Sequence, residues 1–176
     1  MERRDIYDYN RQKKGYTKER SIPLESDEFV LVVQALIFNS EGKLLIQQRS
    51  HEKIGWPDRW DITTGGGALA GETGAQAIER ELFEEVGIRH DFTGIRPHVS
   101  NNFENGFTDV YLITKDVDIT SLKLQTEEVQ AVKWASKEEI LSMIEDGSFV
   151  NYTPEWISYL FAGRFHYGAF EKYIEK

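Results

Sequence analysis

The chain predicts an α/β fold, a mixed central sheet with helices on both faces, and three features carry that expectation. Residues 29–38 (FVLVVQALIF) form an apolar, β-branched run, the pattern of a strand buried on both faces. Residues 73–86 carry apolar side chains at helical spacing, between the capping box Thr73-Gly74-Ala75-Gln76 and the stop signal Gly87. Strand-like and helix-like segments then alternate, without repeats, low-complexity tracts or Pro/Gly/Ser linkers. The 176 residues are therefore read as one domain, long enough for a substantial core.

In order along the chain, residues 1–28 read as a basic arm or peripheral hairpin. Residues 1–20 hold seven basic and four acidic side chains, a net +3 in a protein of net charge −9. Such runs ordinarily mark solvated faces, although this one could also attract an anionic small molecule. Residues 29–150 form the expected core. The run 29–38 turns at Asn39-Ser40-Glu41-Gly42 into residues 43–48 (KLLIQQ), a β-hairpin. Residues 60–63 make a short strand entering the glycine-rich loop Gly65-Gly66-Gly67. After the helix at 73–86, strands are expected near 95–103, 108–114 and 129–134, and a helix at 137–145. Residues 151–176 hold a last helix, with Thr153 as N-cap and Pro154 at its first position, running to about residue 173. Its aromatic stripe (Trp156, Tyr159, Phe161, Phe165, Tyr167, Phe170, Tyr173) reads as core or as the contact of a homodimer.

Composition removes several classes of function. With no cysteine, disulfides, thiolate metal sites and cysteine nucleophiles are all excluded. The four histidines are scattered and never at i, i+4, so there is no zinc metalloprotease helix. No apolar run approaches a membrane span and MERRDIYDYN has no signal-peptide core, so a soluble cytoplasmic protein without a membrane partner is expected. So acidic a body repels a phosphate backbone, which argues against duplex nucleic acid.

The chemistry concentrates on the helix at 73–86. With Ala75 at 0° and 100° per residue, Ala75, Ile78, Leu82 and Val86 fall within roughly 300° to 20°, one apolar stripe. Glu84, Glu81 and Glu85 fall near 180°, 240° and 280°, an arc bordering that stripe. Like charges at i, i+3 and i, i+4 repel, and a divalent cation would reverse the sign. Glu72 stands at the N-terminal end, where the helix dipole favours a carboxylate, and Arg80 can reach back to it. Loop carbonyls beside carboxylates make an all-oxygen site suited to Mg²⁺ or Mn²⁺. Such ions bind phosphate oxygens and acidify water, chemistry that supports water attack on a phosphoanhydride.

These residues resemble a complete Nudix box, GX5EX7REUXEEXGU with U apolar: Gly66, Glu72, then Arg80-Glu81-Leu82-Phe83-Glu84-Glu85-Val86-Gly87-Ile88. Seven positions demand one residue type each, so chance agreement at a given start is on the order of 10⁻⁸. The box spans 23 of 176 residues. Flanking similarity in Gln48-Arg49, Gly55-Trp56-Pro57-Asp58-Arg59-Trp60-Asp61, Glu128-Val129 and Trp134 resembles the subgroup that includes isopentenyl diphosphate isomerase. The resemblance implies a Nudix α/β/α sandwich and Mg²⁺-dependent hydrolysis of a nucleoside diphosphate linked to another moiety, or of a similar organic diphosphate. It implies Glu81, Glu84 and Glu85 as metal ligands with the Gly66 or Gly67 carbonyl, and Glu72 and Arg80 as a structural pair. Box glutamates, Glu81 and Glu85 among them, are also base candidates, and spacing leaves the choice open.

Two rival functions stay in view. Isomerisation uses a cysteine just before the box, where this chain has Thr63-Thr64-Gly65-Gly66-Gly67. A non-catalytic ligand sensor would be expected to lose box carboxylates, and none is lost. Outside the box, Glu128 is the foremost candidate for a further catalytic carboxylate, with Glu127, Glu104 and Asp109 behind it. Arg49 and Lys53 are candidates to grip the diphosphate, a guanidinium fork matching two phosphate oxygens. Otherwise they pair with Glu52 or Asp58. Tyr16, Trp56, Phe103, Phe107 and Trp156 are candidates to stack on a base.

Overall fold

The computed structural model describes residues 2–167. Strands β1 (Arg3–Tyr7) and β2 (Lys13–Glu19) form an antiparallel hairpin, followed by β3 (Val30–Phe38) and β4 (Leu44–Arg49). Strands β5 (Trp60–Asp61) and β6 (Thr64–Gly67) lead into α1 (Gly74–Val86). Then come β7 (Val99–Phe103), β8 (Gly106–Thr114), β9 (Val129–Ala135), α2 (Lys137–Glu145) and α3 (Pro154–Gly163). Strand β3 is central, parallel to β8 along its whole length and antiparallel to β6 on its other edge. Its Leu31, Val33, Ala35 and Ile37 pack with Ala77, Ile78, Leu82 and Val86 of α1. Leu36 and Phe38 pack on the opposite side with Ile140 of α2 and Ile157, Leu160 and Phe161 of α3. The alternation of a twice-buried strand thus places one helix on one face and two on the other, the α/β/α sandwich.

Four expectations are corrected by this arrangement. The predicted hairpin between residues 29–38 and 43–48 closes at a single pair, Phe38 with Leu44, after which β4 turns to β9 and β5. The fully buried Thr63 causes the divergence: its hydroxyl accepts from the Ile37 N–H at 3.0 Å and donates to the Leu45 carbonyl at 2.5 Å, replacing the ladder between the strands. The glycine-rich segment is not a loop. Gly65, Gly66 and Gly67 lie in β6, in register with Gln34, Val33 and Val32. The strand expected from residue 95 starts at Val99, since Gly94 turns the chain at φ +74° and Pro97 has no N–H to donate. The last helix ends at Gly163, where Arg164 folds its guanidinium back onto the Phe161 carbonyl, and Phe165 and Tyr167 are exposed. Phe170 and Tyr173 of the aromatic stripe lie outside the described residues. Among the described residues no helix is long and apolar enough to cross a membrane.

The N-terminal hairpin is fastened at both ends of its inner strand. Ile6 is fully buried, and Tyr7 exchanges backbone hydrogen bonds with Phe29. Arg3 accepts at its carbonyl from Ala70 N–H at 2.8 Å, and Asp5 accepts from Gly71 N–H at 2.8 Å. Arg11 donates twice to Asp109, at 2.8 and 3.0 Å. Glu28 joins hairpin to core: it accepts from the Glu25 N–H, from Lys18 and from Tyr16, contacts that hold its pKa down to about 2. A depressed carboxylate pKa contributes stability above the ordinary value and loses it as pH falls through the folded one. Glu28→Gln is therefore expected to lower the melting temperature at pH 7 and to flatten its decline between about pH 4.5 and 2, as followed by circular dichroism.

Candidate active site

Strand β6 and helix α1 meet because of one missing atom. A Cβ at Gly66 would overlap the Glu81 carboxylate, so glycine lets that side chain lie against the backbone of β6. Arg80, one residue before, ties the same parts together through five acceptors. Its Nε and Nη2 donate to the two oxygens of Glu72 at 2.8 and 2.9 Å, and Nη2 also donates to the Gly67 carbonyl at 3.1 Å. Its Nη1 donates to Glu81 at 2.9 Å and to Glu84 at 3.1 Å. Glu72 in turn accepts from the Leu69 N–H at 2.7 Å, which fixes the segment between β6 and α1.

The box carboxylates differ sharply in environment. Glu85 is buried, accepting from Thr64 Oγ1 at 2.5 Å and Gln47 Nε2 at 3.1 Å. Burial pushes its pKa up to about 7. Burial also raises Glu81, against the opposing pull of Arg80. Glu84 stands at the rim, about half exposed. All three border a cleft of about 520 Å³, whose lining includes Gly66, Arg80, Arg49, Lys53, Glu127 and Glu128. Lys53 and Glu128, expected in separate roles, form an ion pair with each other at its mouth.

Arg49 sits between this cleft and a second cavity of about 250 Å³. Rather than pairing with Glu52 or Asp58, it donates to Asp61 at 3.2 Å and to the Gly55 carbonyl at 2.8 Å, while Asp58 takes His51 at 2.7 Å. Asp61 also accepts from the Ile62 N–H at 2.8 Å and from the Tyr152 hydroxyl at 3.1 Å, and burial raises its pKa. Among the further carboxylate candidates only Glu127 joins Glu128 in the cleft. Glu104 is exposed in the β7–β8 turn, and Asp109 lies under Arg11 and Ser100. None of Tyr16, Trp56, Phe103, Phe107 or Trp156 lines either space. Phe107 stacks on Phe29 and Trp156 on Tyr159 instead. Thr64, Gln47 and the role of Asp61 escaped sequence reasoning, and the hairpin arginines were seen only as a basic arm able to attract an anion. The net +3 of residues 1–20 was the one signal pointing to the last of these.

Among the described residues no three acidic or histidine side chains converge as a ready-made metal cluster, because Arg80 lies between Glu72, Glu81 and Glu84. The donor set nevertheless fits a divalent cation of the hard, oxygen-binding kind. Two carboxylates with raised pKa values border the cleft, and Gln47 Oε1, beside Glu85, is buried with no partner among the described residues. Those are sites where added positive charge lowers free energy.

The NUDIX domain family model matches residues 28–160. The chain belongs to the Nudix family. An uncharacterised Nudix hydrolase of Listeria monocytogenes is 45% identical over 152 residues, covering 86% of this chain and 90% of its own length. An isopentenyl-diphosphate Delta-isomerase of Saccharopolyspora erythraea is 34% identical over 84 residues, 47% of this chain and 43% of the isomerase. The crystal structure of the Deinococcus radiodurans protein DR0079 superposes with a TM-score of 0.73 at 26% identity, covering 89% of this chain and 98% of that one. Similarity to Nudix hydrolases thus extends over most of the chain, and similarity to the isomerase over about half.

A carboxyl whose folded pKa lies above its ordinary value destabilises the fold once ionised, so stability should fall as pH rises from about 4.5 through about 7. In Glu85→Gln the amide oxygen keeps both incoming hydrogen bonds and the charge is gone. Without divalent cations, that substitution is expected to raise the melting temperature at pH 8 by roughly 2–4 °C or more, on the order of 1 kcal/mol, and to leave it little changed at pH 4.5. Calorimetric scans at the two pH values check this.

Proposed function

We propose that the protein is a Mg²⁺-dependent hydrolase that cleaves a phosphoanhydride bond in a nucleoside diphosphate linked to another moiety, or in a similar organic diphosphate. The observation that carries this reading is the convergence of box carboxylates and phosphate-binding cations on one cleft. Glu81, Glu84, Glu85 and Glu128 border it together with Arg20, Arg49 and Lys53, and Gly66 lies against Glu81. Membership of a family of diphosphate hydrolases agrees with that layout.

In this reading Glu81, Glu84 and Glu85 hold the metal together with the Gly66 carbonyl, the Gly67 carbonyl being engaged by Arg80. Mn²⁺ is an alternative to Mg²⁺ for such a donor set. When bound, the cation neutralises phosphate oxygens and makes water a better nucleophile. Arg49 receives the diphosphate, its guanidinium aimed by Asp61 and the Gly55 carbonyl. Glu128 turns from Lys53 to take the proton of the attacking water, and Lys53 is then free to meet a phosphate oxygen. The new P–O bond forms as the bridging P–O bond breaks, and the two phosphate-bearing fragments depart. Glu72 and Arg80 keep the segment before α1 in place throughout and touch no reacting atom.

Isomerase chemistry lacks its thiol, since the chain contains no cysteine. A panel of nucleotide sugars, dinucleoside polyphosphates, nucleoside di- and triphosphates and CoA, assayed for phosphate or nucleotide release with and without Mg²⁺, tests the proposal. Mg²⁺-dependent release from at least one member is expected, and Glu85→Gln should lose at least ~100-fold in kcat, about 2.7 kcal/mol. Tight binding of one compound without turnover would favour a sensor instead, and a near-wild-type rate in Glu85→Gln would reject the assignment of the box.

A further inference from the structure

The smaller cavity has a wall that the hydrolysis step does not use. Arg20 and Arg49 line both spaces, whereas Arg3 and Arg4 line only the inner one. Three of these arginines are satisfied within the chain. Arg3 donates to the Thr17 hydroxyl and carbonyl, both at 2.8 Å. Arg20 pairs with Glu2 at 3.1 Å, and Arg49 pairs with Asp61. Arg4 differs: it donates through Nη2 to the Ile22 carbonyl at 3.0 Å, its Nε is buried with no acceptor, and it has no ion-pair partner among the described residues. Burial and then the neighbouring charge of Arg20 lower its pKa, against the weaker opposing pull of Glu28. A guanidinium held beside a second guanidinium with a buried N–H unsatisfied is costly, and an anion would relieve both costs at once.

The hairpin that brings Arg3, Arg4 and Arg20 to the cavity is built into the site. The Ala70 and Gly71 N–H groups bind Arg3 and Asp5, so β1 is registered on the same segment that Glu72 and Arg80 fix against α1. Across the cavity, Val30, Val32, Ile62 and Leu69 offer an apolar wall. An occupant of this cavity therefore meets residues shared with the carboxylate cleft, an apolar wall, and the positive charge of Arg4 and Arg20.

We propose that the N-terminal hairpin completes the substrate site, with Arg4 and Arg20 binding a second phosphate group carried on the organic moiety beyond the scissile diphosphate. The preferred substrates are then diphosphates bearing a distal phosphomonoester. This rests on the hydrolase reading and specifies its substrate class. A dianionic phosphate presents three acceptor oxygens to two forks, while a carboxylate fills only one fork. Glu2, bound to Arg20, is the internal acid that such a phosphate displaces.

The test uses matched pairs differing by one distal phosphate, NADP⁺ against NAD⁺ and coenzyme A against dephospho-coenzyme A. Binding to the full chain is measured by calorimetry without divalent cations, so that turnover plays no part. The phosphorylated member of at least one pair is expected to bind at least tenfold tighter. In Arg4→Gln and in Arg20→Gln that preference should shrink to within about twofold. Arg20 is mostly exposed, so its variant keeps the test open if Arg4→Gln fails to fold. Equal affinity within both pairs, or a preference that survives in both folded variants, overturns the proposal. Turnover with Mg²⁺ is read separately. A phosphate preference without hydrolysis removes the hydrolase reading and leaves the anion site standing, whereas hydrolysis without preference does the reverse.

Discussion

The guanidinium of Arg80 is the constraint on which the rest of the site depends. It neutralises Glu72, caps the Gly67 carbonyl and reaches Glu81 and Glu84, so one cation joins β6, the segment after it and α1. Burial alone would raise the pKa of Glu72. Arg80 and the Leu69 N–H outweigh it and bring that carboxyl below its ordinary value. Removing one partner from this half-buried pair leaves the other charge without its neutralising contact. The pairing of β6 with β3 and the packing of α1 on β3 set the two elements side by side, and the clamp fixes the carboxylates and the segment between them.

The same region carries a load that folding alone does not explain. Glu85 is buried on hydroxyl and amide donors with no cation in contact among the described residues, and Glu81 is raised by burial despite Arg80. Seven carboxylates line the cleft against four basic side chains. The inner cavity reverses the balance, with four arginines against Glu2 and Asp61. Local strain of this kind concentrates where a ligand is to be met. The two imbalances have opposite sign and share Arg20, Arg49, Gly65 and Gly66, which agrees with the anionic substrate and metal ion proposed above.

Much of this was written in local patterns and some was not. The apolar run 29–38, the capped helix 73–86 and the spacing of the box are short-range features, and they place β3, α1 and the carboxylate arc. The splaying of β3 from β4 hangs on the Thr63 hydroxyl, a single tertiary contact that no periodicity encodes. The glycine triplet read as a loop because glycine ordinarily weakens strands, yet β3 supplies a partner edge and Glu81 needs the missing Cβ. Arg49 and Lys53 were placed at the diphosphate by the resemblance of their segment to the isomerase-like subgroup. Their partners, Asp61 and Glu128, lie 12 and 75 residues away and follow only from the folded topology. The basic arm showed as charge, and its docking on Ala70, Gly71 and Asp109 did not.

On the proposed reading, the carboxylates around Arg80 receive a divalent cation at Gly66. Anomalous diffraction from crystals soaked in Mn²⁺ tests it most directly. The predicted result is a manganese peak bordered by Glu81, Glu85 and the Gly66 carbonyl, with Arg80 still paired to Glu72. A peak elsewhere with these carboxylates unchanged, or no peak at saturating Mn²⁺, would contradict it.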